Sequence, residues 1–344
     1  MDRKGIERIK YETILITGGA GYLGSVITQA LFSRGMVKKL IVFDNLMYNQ
    51  TSSANFAHYK NFEFVYGDVR DKKLLKEYVD EADIIIPLAA IVGFPACERD
   101  KDLATAVNYE HVRYICELIK DTDKKIIYPN TNSGYGIGED GTCTEDSPLN
   151  PISHYGITKV NAEKEVLGVG GISLRLATVF GSSMRMRMDL LVNEFVYKAL
   201  TDKYITIFEK DFVKNYIHIR DVAHTFMFML ERYNEYSGET FNVGLSDANL
   251  SKEQLVELIK TYISDFAITY SDYYKDPDKR DYIVSNEKLE KTGWRPIYSL
   301  EDGIVELIKT YSVLISDLSS KYRNGFPLSY GNRAWYILQR KKLE

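Results

Sequence analysis

The stretch Thr13-Ile14-Leu15-Ile16-Thr17-Gly18-Gly19-Ala20-Gly21-Tyr22-Leu23-Gly24 decides the fold of this 344-residue chain. Its first five residues form a short apolar run, which predicts a buried strand. A glycine cluster follows, and residues 22–34 then carry apolar side chains at helical spacing, with Gly35 as a stop signal. A strand that passes through a glycine-rich turn directly into a helix is typical of parallel α/β folds, and the start of such a helix can receive phosphate.

The three glycines at positions 18, 21 and 24 predict a dinucleotide site, which would also use Tyr22 and Leu23 between them. Gly18 allows a sharp turn, Gly21 lets the backbone approach a pyrophosphate, and Gly24 lets the helix lie close to the sheet. A purely structural glycine turn is the alternative. The strand before the loop and the helix after it favour the dinucleotide interpretation.

Two aspartates that follow predicted strands are candidates for the adenosine end of this site. Asp44 ends the apolar run 40–43, where a carboxylate can accept from ribose hydroxyls and would repel a 2′-phosphate. Asp44 therefore favours NAD over NADP, with an exposed loop aspartate as the alternative. Asp68 follows the run 62–66 and would lie near the adenine, or would cap the helix predicted to begin near residue 71.

The rest of the first half alternates strands and helices, which predicts βαβ units. Predicted strands cover 84–90, 125–128 (ending before Pro129) and 172–180, and predicted helices cover 103–120 and 155–167. We expect a Rossmann-type, doubly wound parallel sheet in an NAD-binding domain of residues 1–181, to which later segments return. Residues 182–344 would form a smaller α/β lobe for substrate, with helices near 190–200, 222–232 and 252–263.

Composition excludes several classes of function. The net charge is −4, from 44 basic and 48 acidic residues, which argues against nucleic acid or a membrane as a partner. Three cysteines and five histidines show no metal-ligand spacing, so we expect no metal. The N-terminus lacks the pattern of a signal peptide, and the longest apolar run, 84–96, is too short to span a bilayer. We expect a cytoplasmic protein.

The reactive centre is predicted at Tyr155 and Lys159, which are four residues apart and so share one face of a helix. A neighbouring ammonium favours the phenolate and makes the tyrosine a better base. Thr131 follows another predicted strand, and its hydroxyl could hold a substrate oxygen beside Tyr155. For Thr131 and Ser133, turn chemistry is the alternative, because this segment is rich in Gly, Asn and Ser.

Taken together, these motifs resemble the extended short-chain dehydrogenases, a family of nucleotide-sugar epimerases and dehydratases. The resemblance covers about residues 12–310. It is carried by residues 17–24, Asp44-Asn45, Gly67-Asp68-Val69, Leu88-Ala89-Ala90, Asn108, residues 131–136, Tyr155 with Lys159, Arg175 with Gly181, residues 215–222 and Gly293-Trp294-Arg295-Pro296.

The resemblance implies a tightly bound NAD, a homodimer, and catalysis by Tyr155, Lys159 and Thr131. It also implies cofactor contacts by Asn45, Val69, Leu88, Ala89, Ala90 and Asn108, besides the glycines, Asp44, Asp68, Tyr155 and Lys159. Relatives that catalyse 4,6-dehydration carry an acid just after the catalytic threonine. This chain has Asn132 and Ser133 there, so we expect no 4,6-dehydration.

A narrower resemblance concerns the substrate. Residues 130–139, 143–145, 151–153 and 185–193 are similar to the branch that oxidises C4 of GDP-manno-heptose in bacterial capsule biosynthesis. The substrate would then contact Asn132, Ser133, Thr178, Arg185, Arg187, Asn193, Lys214 and Arg280. For each of the four cations a solvated surface residue is the alternative. A UDP-hexose 4-epimerase and a non-catalytic NAD-sensing relative are the alternative functions.

Overall fold

The computed structural model describes residues 11–136, 141–271 and 282–314. The strands are β1 (Tyr11–Thr17), β2 (Val37–Asp44), β3 (Phe62–Tyr66), β4 (Ile84–Pro87), β5 (Lys125–Thr131), β6 (Thr142–Cys143), β7 (Ile172–Leu176), β8 (Thr178–Phe180), β9 (Tyr204–Ile207), β10 (Val213–His218), β11 (Thr240–Val243), β12 (Asn249–Ser251), β13 (Ala267–Tyr270) and β14 (Ile283–Val284).

The α-helices are α1 (Tyr22–Arg34), α2 (Lys72–Glu81), α3 (Phe94–Arg99), α4 (Lys101–Thr105), α5 (His111–Ile119), α6 (His154–Gly168), α7 (Leu191–Thr201), α8 (Ile219–Glu231), α9 (Tyr233–Tyr236), α10 (Lys252–Tyr262), α11 (Glu287–Lys291) and α12 (Leu300–Leu314). Short 3₁₀ turns span Ser52–Phe56 and Asn132–Tyr135, and a π-helical turn spans Ala106–Glu110. Among the residues that the structure describes, no helix is long and apolar enough to cross a membrane.

The main sheet has seven strands in the order β11-β7-β5-β4-β1-β2-β3, and every neighbouring pair is parallel. The predicted doubly wound, Rossmann-type sheet is therefore confirmed. Strand order reverses between β1 and β4, so a crevice opens there beyond the carboxyl ends of the strands.

Helices cover both faces of this sheet. Alternate residues of β1 lie in different cores: Ile14 and Ile16 pack on one face and Leu15 on the other. This explains why the strand reads as a continuous apolar run rather than as an alternating one. Helices α1 and α8 pack together on one side, and α2, α5 and α6 form a layer on the other.

A smaller sheet lies beside the main one. Its order is β12-β10-β8, with β8 parallel to β10 and β10 antiparallel to β12. The chain returns to the main sheet afterwards, because β11 pairs with β7 at its edge.

Several predicted boundaries were wrong. Strand β5 continues through Pro129 to Thr131; its pairing with β4 ends at Ile126, so the missing proline N–H need not interrupt pairing with β7. The strand predicted over 172–180 breaks at Ala177 into β7 and β8, which belong to different sheets. Strand β4 ends at Pro87 rather than at residue 90, and the helix predicted over 103–120 is interrupted by the π-helical turn.

Candidate active site

One cavity of about 550 Å³ lies at the carboxyl edge of the main sheet, between that sheet and the smaller one. It brings together most of the predicted site residues from segments far apart in the sequence. Those that line it are Gly18, Gly21, Tyr22, Leu23, Gly24, Asp44, Asn45, Asp68, Val69, Leu88, Ala89, Ala90, Thr131, Tyr155, Lys159, Thr178, Arg185, Arg187 and Lys214.

The glycine loop is shaped by two close approaches. Gly18 has a φ of +70°, and a Cβ there would lie 2.5 Å from the backbone nitrogen of Ala89. A Cβ on Gly24 would lie 2.6 Å from the Cα of Gly19. Gly21 caps α1 without a side chain, so the N–H groups of the first turn border the cavity at a helix N-terminus. The loop is therefore a cradle of the kind that binds pyrophosphate.

Asp44 ends β2 and is buried in the cavity wall. Its Oδ2 accepts from the Ala20 N–H at 3.1 Å, and its Oδ1 accepts from the Leu46 N–H at 2.8 Å. The side-chain amide of Gln50 also donates to Oδ1, at 3.0 Å. Burial raises the pKa of Asp44, while the two backbone donors counteract that rise. The carboxylate is therefore fixed to the glycine loop, in the position where ribose hydroxyls bind in this fold.

Asp68 borders the cavity at the end of β3. It accepts from both Nε and Nη2 of Arg70, at 2.8 and 2.7 Å, and from the Asn45 amide at 3.2 Å. The hydrogen bonds from Arg70 lower the pKa of Asp68 to about 2. The helix-cap alternative was wrong for this residue, because Asp71 caps α2 by accepting from the N–H groups of Lys73 and Leu74.

Helix α6 carries the predicted reactive pair. Ser153 caps it by accepting from the Gly156 N–H at 3.1 Å, so the first turn places Tyr155 at the cavity. Lys159 is 4% exposed; its Nζ donates to the Pro129 carbonyl and lies 4.0 Å from the centre of the Tyr128 ring. Burial lowers the pKa of Lys159 to about 7. Lys159 thus titrates near neutral pH, one helical turn from Tyr155.

Thr131 is the last residue of β5 and faces the same cavity. Its Oγ1 accepts from the Ser133 N–H at 3.1 Å and lies 2.8 Å from the Ser133 hydroxyl. The hydroxyl of Thr131 therefore caps the following turn and also borders the space beside Tyr155. Contact with a substrate oxygen and capping of the turn are therefore compatible roles for Thr131.

A buried ion pair ties α6 to the sheet beneath the reactive pair. Arg175 on β7 donates to both carboxylate oxygens of Glu163, at 2.7 and 3.1 Å. The same carboxylate accepts from the Asn130 amide and the Ser173 hydroxyl, each at 2.6 Å. These contacts lower the pKa of Glu163 despite its burial. Because Asn130 precedes Thr131, the pair fixes the helix that carries Tyr155 and Lys159 against the strand that carries Thr131.

Four predicted contact residues do not line the cavity. Asn108, in the π-helical turn, exchanges hydrogen bonds with the Ile91 backbone at 2.8 and 2.9 Å and so supports the loop after β4. Asn132 and Ser133 are buried in the turn after β5. Asn193, on α7, accepts from the Gly181 N–H at 3.0 Å and donates to the Arg187 carbonyl at 2.8 Å. These four residues are absent from the cavity lining, so their direct contact with a ligand stays a prediction. Arg280 lies outside the described residues.

Further charged residues that border the cavity come from the later part of the chain. Arg187 forms a two-point pair with Asp189, at 3.1 and 2.7 Å, and Lys214 projects from β10. The lining residues that sequence reasoning missed include Tyr48, Asp189 and Lys252. Asp189 lies within the unusual stretch 185–193 and could have been noted there. Lys252 follows a serine that caps α10, and no local pattern distinguishes it from a surface lysine.

These features fit a bound nicotinamide dinucleotide: a cradle that a Cβ would fill, a buried carboxylate at the end of β2, and a tyrosine–lysine pair that borders the same cavity. When bound, that cofactor accepts a hydride from a substrate carbon. Together they define the class of dinucleotide-dependent enzymes that oxidise or reduce an alcohol–ketone pair.

Within that class, the chain belongs to the NAD dependent epimerase/dehydratase family, whose model matches residues 14–244. It is 30% identical over 319 residues to the dTDP-4-dehydro-6-deoxyglucose reductase of Escherichia coli, covering 86% of this chain and 96% of that protein. It is 26% identical over 336 residues to the CDP-paratose 2-epimerase of Salmonella typhi, covering 86% and 97% of the two chains.

A solved structure agrees with these relatives. The dTDP-glucose 4,6-dehydratase of Bacillus anthracis in complex with NAD superposes with a TM-score of 0.75 at 26% identity. The match covers 88% of this chain and 97% of the other. The protein is therefore an NAD-dependent enzyme of the short-chain dehydrogenase type, related to enzymes that act on nucleotide-sugars.

Proposed function

We propose that this enzyme oxidises C4 of a nucleotide-sugar, with GDP-D-glycero-D-manno-heptose as the favoured substrate, in the synthesis of a capsular sugar. The observation that carries the C4 oxidation is that Thr131, Tyr155 and Lys159 line the same cavity. The preference for a GDP-heptose is supported by the resemblance of residues 185–193 to the branch that uses it. The relatives act on sugars carried by different nucleotides.

Tyr155 is the base in this scheme. It takes the proton of the C4 hydroxyl, and the charge of Lys159 one turn away favours the phenolate that does so. The Thr131 hydroxyl holds the same sugar oxygen in place. Because the pKa of Lys159 is about 7, a large fraction of that residue is protonated at neutral pH.

The positions after Thr131 argue against elimination of water from the keto sugar. Asn132 and Ser133 occupy them, both are buried, and neither is an acid. The 4-keto sugar would then be released, or reduced again on its other face. Release makes the enzyme a dehydrogenase, and reduction makes it a 4-epimerase acting on a UDP-hexose or a GDP-sugar.

The test mixes stoichiometric amounts of NAD-loaded enzyme with GDP-manno-heptose and, separately, with UDP-hexoses. The bound cofactor is followed by its NADH absorbance, and the sugar by NMR. We expect a stoichiometric rise with the GDP-heptose alone. Conversion of a UDP-hexose to its 4-epimer without lasting NADH would contradict the proposal in favour of the epimerase. If no substrate gives NADH and none is converted to an epimer, the result would favour the non-catalytic, NAD-sensing alternative. We also expect a homodimer, which light scattering would test.

A further inference from the structure

The segment after β8, residues 181–189, carries Arg185 and is fastened to the first turn of α1. The Tyr22 hydroxyl donates to the Gly181 carbonyl at 2.7 Å, and the Ser183 hydroxyl donates to the Tyr22 carbonyl at 2.7 Å. The hydroxyls of Ser183 and Ser25 are 2.9 Å apart. The segment is therefore anchored at the helix N-terminus that receives the cofactor's pyrophosphate.

From this anchor Arg185 reaches the adenosine side of the cavity. It is 4% exposed, and its guanidinium carbon lies 4.9 Å from the centre of the Tyr48 ring. Tyr48 belongs to the loop after β2, four residues beyond Asp44, and both border the cavity with Arg185. The guanidinium is thus held on an aromatic face beside the carboxylate assigned to the adenosine ribose.

The charged groups around Arg185 are Arg187, Asp189, Tyr48 and Asp44. Burial and the charge of Arg187 lower the pKa of Arg185 to about 10, so it remains a cation at neutral pH. Asp189 is held by Arg187 in a two-point pair, and Asp44 accepts three hydrogen bonds from its own surroundings. A buried guanidinium between such groups is complemented well by phosphate oxygens, which match its planar fork.

We propose that Arg185 binds NAD, at its pyrophosphate and adenosine half, and does not bind the nucleotide-sugar. The hydrogen bonds of Tyr22 and Ser183 hold the segment, and the Tyr48 ring holds the side chain, so that Arg185 retains the cofactor. Lys214 is its counterpart for the other ligand: it lies on β10, in the smaller sheet, where its backbone pairs with Leu250 on β12. Arg185 and Lys214, both predicted as substrate contacts, would therefore serve different ligands.

The experiment crosses two variants with two ligands on the NAD-loaded enzyme. Release of the cofactor is timed by exchange against excess NAD labelled with ¹⁴C, and GDP and UDP are titrated by calorimetry. For Arg185→Met we expect NAD to leave about 10- to 100-fold faster, with unchanged affinity for both nucleotides, since one charge-assisted contact is lost. For Lys214→Met we expect the opposite: unchanged NAD release, and weaker GDP or UDP binding.

The proposal is overturned if Arg185→Met retains NAD like the wild type, or if its main effect is on GDP or UDP. Thermal melting identifies a variant that fails to fold. In that event Tyr48→Leu, which removes only the aromatic face, should still speed NAD release and leave GDP and UDP binding intact; a Tyr48→Leu protein with wild-type release also overturns it. Because NAD release needs no substrate, failure of the GDP-heptose proposal leaves this result unaffected and is seen separately.

Discussion

The two sides of the cavity are built in different ways. The sheet wall, formed by the ends of β1, β2, β4 and β5 with the start of α6, takes its residues from short segments in which one motif supplies several contacts. The lobe wall takes its residues from β8 and from the stretch after it that includes Arg185, Arg187 and Asp189, while Lys214 and Lys252 come singly from separate segments. The sheet wall also rests on the buried Glu163–Arg175 pair, whose side chains are 3% and 7% exposed.

This difference suggests a division of labour. In this proposal the sheet wall binds the cofactor and performs the chemistry, which requires its groups to be fixed relative to one another within a fraction of an ångström. Apart from Arg185, which we assign to NAD, the lobe wall would supply the residues that distinguish one nucleotide-sugar from another. We therefore expect changes in the sheet wall to affect rate and folding, and changes in the lobe wall other than at Arg185 to affect substrate affinity.

The largest effect should come from Tyr155→Phe, which removes the base and keeps the ring. We expect hydride transfer to fall about 10²- to 10⁴-fold, because general base catalysis contributes that much. Single-turnover formation of NADH on a nucleotide-sugar measures it, and NAD content should not change. Tyr66→Phe, at an exposed position, is the matched control. Full activity in Tyr155→Phe would refute the assignment of the chemistry to the sheet wall.

Arg175→Met should give the largest loss of stability, because it leaves the Glu163 carboxylate buried without its partner. We expect the free energy of unfolding to fall by about 3–5 kcal/mol, and the double variant Glu163→Gln/Arg175→Met to recover part of it. Urea denaturation measures both. Lys76→Met, which breaks the exposed pair with Asp80, should leave stability almost unchanged, because solvent screens an exposed ion pair. If Arg175→Met and Lys76→Met lowered the free energy of unfolding equally, the buried pair would hold the sheet wall no more firmly than an exposed pair holds the surface.

Gly24→Ala tests the close approach in the glycine loop. The new Cβ would lie 2.6 Å from the Cα of Gly19, so backbone must shift, and we expect a loss of about 1–3 kcal/mol in stability together with weaker NAD binding. Thermal melting and NAD titration measure the two effects. Gly168→Ala, where a Cβ would meet open space at the end of α6, is the control. Wild-type melting and wild-type NAD affinity in Gly24→Ala would show that the cradle is not tightly packed.

Lys159→Met should stabilise the cofactor-free enzyme in a pH-dependent way. The pKa of Lys159 is about 7 when folded and near 10.5 when unfolded, so folding disfavours its charged form. That cost is fully present below about pH 7 and disappears as pH rises towards 10.5. The variant should therefore gain about 1–3 kcal/mol at pH 6 and much less at pH 10, as urea denaturation would show. An equal gain at both values would argue against a lysine that titrates near neutral pH.

The smallest effect concerns the lobe wall. Lys252 is buried at the start of α10, donates to the Phe208 carbonyl at 3.0 Å, and borders the cavity. We expect Lys252→Met to weaken binding of GDP and UDP about three- to tenfold, while NAD release is unaffected. Calorimetry measures the first. Lys260→Met, on the same helix and outside the cavity lining, is the control. If Lys252→Met changed the rate of NAD release, the lobe wall and the sheet wall would not bind separate ligands as proposed.

Much of the sheet wall was predictable from sequence. The glycine loop, Asp44 and the Tyr155–Lys159 pair each depend on a backbone pattern a few residues long, and the structure places all of them at one edge. The lobe wall was not predictable to the same degree. Residues 172–180 read as one apolar strand, although the chain changes sheets at Ala177, where its N–H donates to the Val243 carbonyl at 2.9 Å.

Asn193 and Arg185 show what a linear sequence leaves open. Both come from one unusual stretch, and both were predicted to contact substrate. In the structure Asn193 is buried and accepts from the Gly181 N–H, while the guanidinium of Arg185 lies over the Tyr48 ring and borders the cavity. Both side chains are polar, so the sequence does not distinguish them. Only the packing of α7 and of residues 181–189 against α1 decides that Asn193 supports a turn and that Arg185 lines the cavity.

The sequence by itself determined the parallel sheet, the turn into α1 and the spacing of the reactive pair, because periodicity and glycine geometry act over a few neighbouring residues. The tertiary structure alone decided which distant side chains border the cavity. That choice depends on contacts between segments more than a hundred residues apart, such as Tyr22 with Gly181. Such contacts leave no local pattern in the chain.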